Sequence, residues 1–292
     1  MQNTMKVSEP AAIGDTVLFP VKLCNLPPFR AAAGKLISLS EEEGLNLRRV
    51  VSLVGGDPAL AAEILFLANS SLFGFPARIE SLRHAVAVLG FDGVKRLAMT
   101  VVMRDLARGV GPFVRSSWCH SVACAVIAEQ IAPRLGCTAE QAYTAGLMHD
   151  IGRLGFLRSY SSEISPVLSG EYQDADQVMA AERSVMNTSH QEAGSWLIEY
   201  WALPQPFSEV CAHHHDPLAE RDSPVLRVIK TACRLANAAG YAPVRYTQRP
   251  QYTDVLRSAL PDIPVESFPS EEAMQSEVES RLQSFDSRAR RG

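Results

Sequence analysis

Seven histidines are spread along the chain, at His84, His120, His149, His190, His213, His214 and His215. His149 is followed directly by Asp150 within Leu147-Met148-His149-Asp150-Ile151-Gly152-Arg153. Imidazole nitrogens with a carboxylate oxygen suit Zn, Mn, Fe or Ni, and one carboxylate can bridge two ions. A single His-Asp dipeptide is weak evidence. This one is accompanied by a His within the preceding helical segment, a His at a helix start and a His pair at a helix end. Neighbouring residues on a helix diverge by about 100°. Adjacent ligands therefore serve best at a helix end, and Gly152 is expected to mark such an end after Asp150, as Pro217 does after His214-His215-Asp216. Taken singly, each His is a hydrogen-bonded core or surface residue, and His84 and His213 keep that reading. The set changes the reading, because facing helices of a bundle are where metal sites are built.

The elements that would carry these residues read almost wholly as helix. Leu47, Val50, Val51 and Val54 follow helical spacing behind Asn46, and Gly55-Gly56 ends that segment. Asp57-Pro58 opens the next, Ser81 caps a third that stops at Gly90, and Asp92 is expected to cap a fourth. Gly109-Val110-Gly111-Pro112 is the strongest break mid-chain. Beyond it a helix is expected from Phe113 to Leu135, stopped by Gly136. Thr138-x-x-Gln141 and Ser189-x-x-Glu192 are capping-box patterns. Ser223-Pro224 opens a helix running towards Gly240, and Ser270-Glu271-Glu272 starts a last one. Strand-like alternation is nearly absent. The fold class expected is all-α: a helical bundle with an N-terminal helical part. The divisions are an N-terminal extension at 1–22, the N-terminal helical part at 23–109, a helical core at 110–241 and a C-terminal extension at 242–292. The arginine-rich tail from Arg288 to Gly292 reads as a solvated end.

Composition limits the function classes. The 292 residues are 47% hydrophobic and 21% charged, enough to bury a sizeable core. The net charge of -4 argues against general binding to nucleic acid or to an anionic membrane. The six cysteines form no C-x-x-C pair and read as free thiols. Neither a signal peptide nor a membrane-length apolar run is visible, so the expectation is a cytoplasmic protein.

The segment His149-Asp150-Ile151-Gly152 resembles the signature of the HD superfamily of metal-dependent phosphohydrolases. The N-terminal half resembles the HDOD family through Gly56-Asp57-Pro58-Ala59-Leu60, Leu67-Ala68-Asn69-Ser70, Phe73-Gly74, Ile79-Glu80-Ser81-Leu82 and Ala85-Val86-Ala87-Val88-Leu89-Gly90. The similarity spans Leu23 to Tyr241. It implies an HD-superfamily core with metal ligands at His120, His149 and Asp150. His190, His214 and His215 resemble the extra ligands of the related cyclic-di-GMP phosphodiesterases. A divalent ion (Fe, Mn, Zn, Ni or Mg) is the implied cofactor. Asp150 and Arg153 are the residues placed for catalysis, Arg153 standing where those enzymes often carry a phosphate-facing Lys.

Two departures stand out. The late Asp of active relatives is matched by Cys233, and the Gly-Tyr-Pro element after the His pair is replaced by Asp216-Pro217-Leu218. Cys233 is open to two readings, a soft thiolate ligand or a small buried apolar residue. The resemblance implies a bacterial signalling module with a partly degenerate metal site, binding a regulatory protein or a nucleotide second messenger. The alternative is a metal-dependent phosphohydrolase of cyclic nucleotides or phosphomonoesters. The missing late Asp favours the module.

Overall fold

A computed structural model describes residues 21–39, 47–70, 72–109 and 111–286. Residues 1–20, the expected cap Asn46, Val110 of the mid-chain break and the arginine-rich tail lie outside the described residues. The architecture is all-helical. Its one sheet among the described residues pairs β1 (Glu171–Tyr172) in parallel with β2 (Arg245–Tyr246).

The N-terminal part holds α1 (Ala31–Ser38), α2 (Leu47–Gly55), α3 (Pro58–Ala68) and α4 (Leu82–Leu106). Asp57 caps α3 by accepting from the Leu60 N–H, and Ser81 caps α4 by accepting from that of His84. Asn69, from the sequence pattern behind α3, braces the following loop. Its side chain donates to the Leu65 and Ile79 carbonyls and accepts from the Ile79 N–H at 2.8 Å. Gly90 is the single non-helical residue inside α4, at φ 72°, and divides it into two arms. Asp92 therefore sits in the first turn of the second arm rather than at its cap. There its charge favours the helix dipole.

The C-terminal part begins with α5 (Pro112–Ile131). Pro133 cannot donate a backbone hydrogen bond, and the expected continuation to Leu135 tightens into a 3-10 turn that Gly136 closes at φ 72°. Next come α6 (Ala139–Met148), capped by Thr138, α7 (Ile151–Ser159), α8 (Ser161–Leu168) and α9 (Ala175–Met186). Ser189 and Glu192 form a complete capping box at the start of α10 (His190–Tyr200), which leads to α11 (Gln205–His213). Then follow α12 (Pro224–Ala238), α13 (Tyr252–Ala259) and α14 (Glu271–Asp286). No single described helix is long and apolar enough to cross a membrane.

One large apolar core joins the two parts, running from Ala33 on α1 to Phe285 on α14. The segment after residue 242 contributes to it through Tyr252, Leu256, Met274, Val278 and Phe285. A smaller core gathers Leu23, Phe156, Ile164, Val178, Met186 and Leu197. Helix α7 serves both, with Ile151 and Leu154 in the first and Phe156 and Leu157 in the second. Five of the histidines, His120, His149, His190, His214 and His215, gather around its N-terminus.

Candidate metal centre

Two close backbone approaches assemble the site. A Cβ on Gly146 would lie 2.6 Å from the Ala125 Cα, so α6 rests directly on α5 and brings His149 to His120. A Cβ on Gly152 would lie 2.0 Å from the His190 carbonyl oxygen. Gly152 is thus not the helix terminator that its place after Asp150 suggested. It is the second residue of α7, and its missing side chain lets α10 deliver His190 to Asp150. The turn between α6 and α7 supplies the helix end instead, with His149 as the last cap of one and Asp150 as the first cap of the other.

The structure brings all six expected residues together. His120 Nε2 and His149 Nε2 are 3.1 Å apart, and Cys233 Sγ is 3.6 Å from His120 Nε2. His190 Nε2 is 3.6 Å from Asp150 Oδ1. The rings of His149 and His214 are centred 4.9 Å apart, those of His190 and His215 5.1 Å apart and those of His214 and His215 4.2 Å apart. All but the half-buried His215 are buried. His213 stays outside, exposed, with Nδ1 2.8 Å from Asp216.

Hydrogen bonds decide which nitrogen of each ring is free. A carbonyl or carboxylate only accepts, so a ring nitrogen facing one must carry the proton. Nδ1 of His120 faces the Tyr241 carbonyl at 2.9 Å, and Nδ1 of His149 that of Gly146 at 2.7 Å. Nδ1 of His214 faces the Val210 and Cys211 carbonyls, and Nδ1 of His190 the Glu182 carboxylate at 2.6 Å. In the neutral rings all four Nε2 atoms are therefore lone pairs, and two of them meet at 3.1 Å with no proton between them. The Cys233 thiol supplies one weak donor there. His214 Nε2 and Asp150 Oδ1 are buried without a hydrogen-bond partner. Two nitrogens bound to one ion at about 2.0–2.1 Å stand about 2.9–3.4 Å apart at octahedral or tetrahedral angles. Backbone or carboxylate bonds at Nδ1 with Nε2 aimed inward are the usual support of a metal-ligating His. The residues fit a divalent ion. Two trios have ligand atoms that close on one another within 4.8 Å, His120–His149–Cys233 and His190–His214–His215.

Burial disfavours the charged form of His120, His149, His214 and His215. It lowers the pKa of His120 to about 3, with His149 adding to the shift, and it lowers those of His149, His214 and His215. Unfolding returns each to about 6.5, so below that pH the unfolded chain binds protons that the fold refuses. In metal-free protein, stability should therefore fall as pH drops through the window from about 6.5 towards 3. Each fully shifted ring adds a slope of about 1.4 kcal/mol per pH unit. Urea unfolding at pH 7 and pH 5 checks this, and equal midpoints would contradict the buried neutral rings.

Arg153 has a different environment from the phosphate-facing one expected. Its guanidinium is 1% exposed. Nε donates to Asp150 Oδ2 at 2.8 Å and Nη1 to Glu182 Oε1 at 3.2 Å. Burial alone would raise the Asp150 pKa, but the Arg153 guanidinium beside it holds the carboxyl well below its usual range. Glu182 was not found by sequence reasoning. It is fully buried on α9, where Oε2 accepts from both the backbone N–H and Nδ1 of His190. The available signal was an acid on an otherwise apolar stripe, Val178, Met179, Glu182 and Met186. Replacing Glu182 with Gln removes half of the anionic environment of a buried guanidinium. The expected loss is about 3 kcal/mol, the low end for breaking a buried pair, because Asp150 still holds Arg153. Denaturant midpoints of the two proteins measure it.

Cys233 sits on α12 at 1% exposure, and burial, with Asp150 adding, pushes its thiol up to about 12. It is a neutral thiol unless an ion draws off the proton.

Comparison with known proteins agrees with this architecture. An uncharacterized protein of Treponema pallidum (strain Nichols) is 24% identical over 178 residues, 60% of this chain. The match covers 35% of that protein, so this chain spans about a third of its length. Among solved structures, an HDOD domain protein with unknown function from Geobacter sulfurreducens is 25% identical, with a TM-score of 0.64 over 92% of this chain and 90% of that one. A protein from Shewanella amazonensis named "Putative metal-dependent phosphohydrolase" is 21% identical, with a TM-score of 0.60 over 91% of this chain and 95% of that one, a likeness of fold. The family model of the HDOD domain matches residues 26–217, from just before α1 to the segment just past the His214-His215 pair, and the chain belongs to the HDOD family.

Proposed function

We propose that this HDOD protein is a regulatory module with a closed divalent-metal centre, and that it acts by binding a partner protein or a nucleotide rather than by turning over a phosphoester. The observation that carries the reading is the state of Asp150. It is the acid of the His-Asp pair, it is buried, and one of its oxygens is held by a guanidinium that is itself buried. A hydrolytic centre uses its metal to lower the pKa of a bound water and needs open coordination for water and substrate. Here the ligand atoms are packed between helices, and the position matched to the late acid of active relatives carries the neutral thiol of Cys233. Such a centre suits holding α5, α6, α10 and α12 in one arrangement, which a signalling surface can report. The HDOD family's association with bacterial signal transduction supports the same reading.

The convergence of His120, His149, Asp150, His190, His214 and His215 is the observation that favours the second reading, a phosphohydrolase. One experiment separates the two. Protein loaded with Mn2+ is assayed with bis(p-nitrophenyl) phosphate and with cyclic dinucleotides. The regulatory reading expects no turnover above that of a His149→Ala variant. Turnover that follows metal loading and disappears in that variant would replace it with the hydrolase.

A further inference from the structure

We propose that the Arg153 guanidinium is the resident cation of the second half of this centre, so that the chain binds one divalent ion where its ligand set has the makings of two. The inference rests on the metal-centre reading above and concerns what the centre excludes. His190, His214 and His215 are one of the two trios whose ligand atoms converge. An ion held there would take the His190 Nε2 lone pair and share Asp150, whose Oδ1 lies 3.6 Å away. Arg153 already engages both groups. Its Nε bonds Asp150 Oδ2, and its Nη2 lies 3.2 and 3.3 Å from the two His190 ring nitrogens. Nδ1 of that ring is committed to Glu182, so the acceptor left for Nη2 is Nε2, the atom an ion would need.

The arrangement is built rather than incidental. Arg153 is fixed at three corners, by Asp150 one turn earlier, by Glu182 from α9 and by His190 from α10. Glu182 in turn holds the His190 backbone N–H, so the same carboxylate sets the ring and the guanidinium. Charge points the same way. Asp150 and Glu182 outnumber Arg153 by one, so a single divalent ion already overshoots neutrality by one. A second ion beside Arg153 would leave two further positive charges where little water reaches to screen them. Removing the guanidinium frees a nitrogen lone pair, a carboxylate oxygen and the space between them. Arg153 bonds Asp150, Glu182 and His190, and none of the first trio of His120, His149 and Cys233.

The test counts ions. Wild type and Arg153→Met are stripped, loaded separately with Zn2+ and with Mn2+, freed of excess metal and analysed for metal per chain. The expected result is one ion in the wild type and two in Arg153→Met. The Mn2+ form of the variant should also show the electron paramagnetic resonance signature of a spin-coupled pair, against an isolated ion in the wild type. Should Arg153→Met fold poorly for want of a partner for two buried acids, Arg153→Gln, which removes the charge but keeps a hydrogen-bond donor for them, is counted instead. Two ions in the wild type, or one in the folded variants, would overturn the inference while leaving the metal centre intact. No ion in any of them would remove the centre and this inference with it.

Discussion

Alanine at Gly152 is expected to cost more stability than alanine at any other described glycine, at least about 3 kcal/mol, the upper end of ordinary overpacking. The sign is informative because local propensity predicts the reverse. Gly152 lies inside α7 with helical neighbours on both sides, and there alanine is better than glycine by about 1 kcal/mol. What opposes it is backbone. The added Cβ would stand 2.0 Å from the His190 carbonyl oxygen, 2.6 Å from the Gly194 nitrogen and 3.0 Å from the His190 carbonyl carbon. None of these can swing aside like the end of a side chain. Relief requires α7 and α10 to separate by more than an ångström, which opens the contact between Asp150 and His190 and unpacks the smaller core. A loss of about 3 kcal/mol is a large part of the 5–15 kcal/mol that holds a typical domain together. Gly155, one turn along the same helix, is the internal control. Its nearest obstacles are the side-chain ends of Leu197 at 3.1 Å and Leu23 at 3.3 Å, which can give. Gly155→Ala should therefore change stability far less. Thermal and urea unfolding of the two variants measure the difference. A Gly152→Ala protein as stable as the wild type would refute the close approach that positions the site.

The contrast marks what could be read from the sequence. Caps and periodicity are local, and Asp57, Ser81, Thr138, Ser189 and Ser223 all cap the helices they precede. The convergence of the six expected residues was legible for a related reason: His and Asp are rare in apolar helical surroundings, so their placement at helix ends stands out. Gly152 was misread because a glycine after a His-Asp pair looks the same whether it ends a helix or clears space for another. Only the neighbouring chain, His190 and Gly194, distinguishes the two. Glu182 was missed because its partners lie 29 residues earlier at Arg153 and eight later at His190, across two helix boundaries. The environment of Arg153 was hidden for the same reason. Its spacing from Asp150 was visible, but the second acid that turns a phosphate-facing cation into a buried tie was not.

The other large effect is expected at Cys233, where an aspartate should make the fold depend far more strongly on a hard divalent ion. The side chain at 233 lies against His120 Nε2, in the trio with His149, and close enough to Asp150 for the two charges to interact. A carboxylate there, with no ion, is a further buried anion facing neutral rings, relieved only when it or the adjacent His120 takes up a proton. Leaving a buried charge uncompensated costs about 3–5 kcal/mol. The stripped variant should therefore melt well below the stripped wild type. Adding a divalent ion reverses the account, because a hard anionic oxygen then joins the two imidazoles of that trio around it. Affinity for Mn2+ should rise at least tenfold. At an ion concentration a hundred times the dissociation constant, binding contributes about 2.7 kcal/mol to stability, enough to return most of the loss. In the wild type the neutral thiol, held near 12 by burial, gives a hard ion no such anchor, and the response to Mn2+ should be smaller. Calorimetric titration with Mn2+, with melting curves at increasing metal, reads both halves of the expectation. Equal affinities in a well-folded Cys233→Asp protein would show that position 233 is not where active relatives carry their late acid. Position 233 would then no longer argue against catalysis, and the regulatory reading would rest on the burial of Asp150 and its pairing with Arg153.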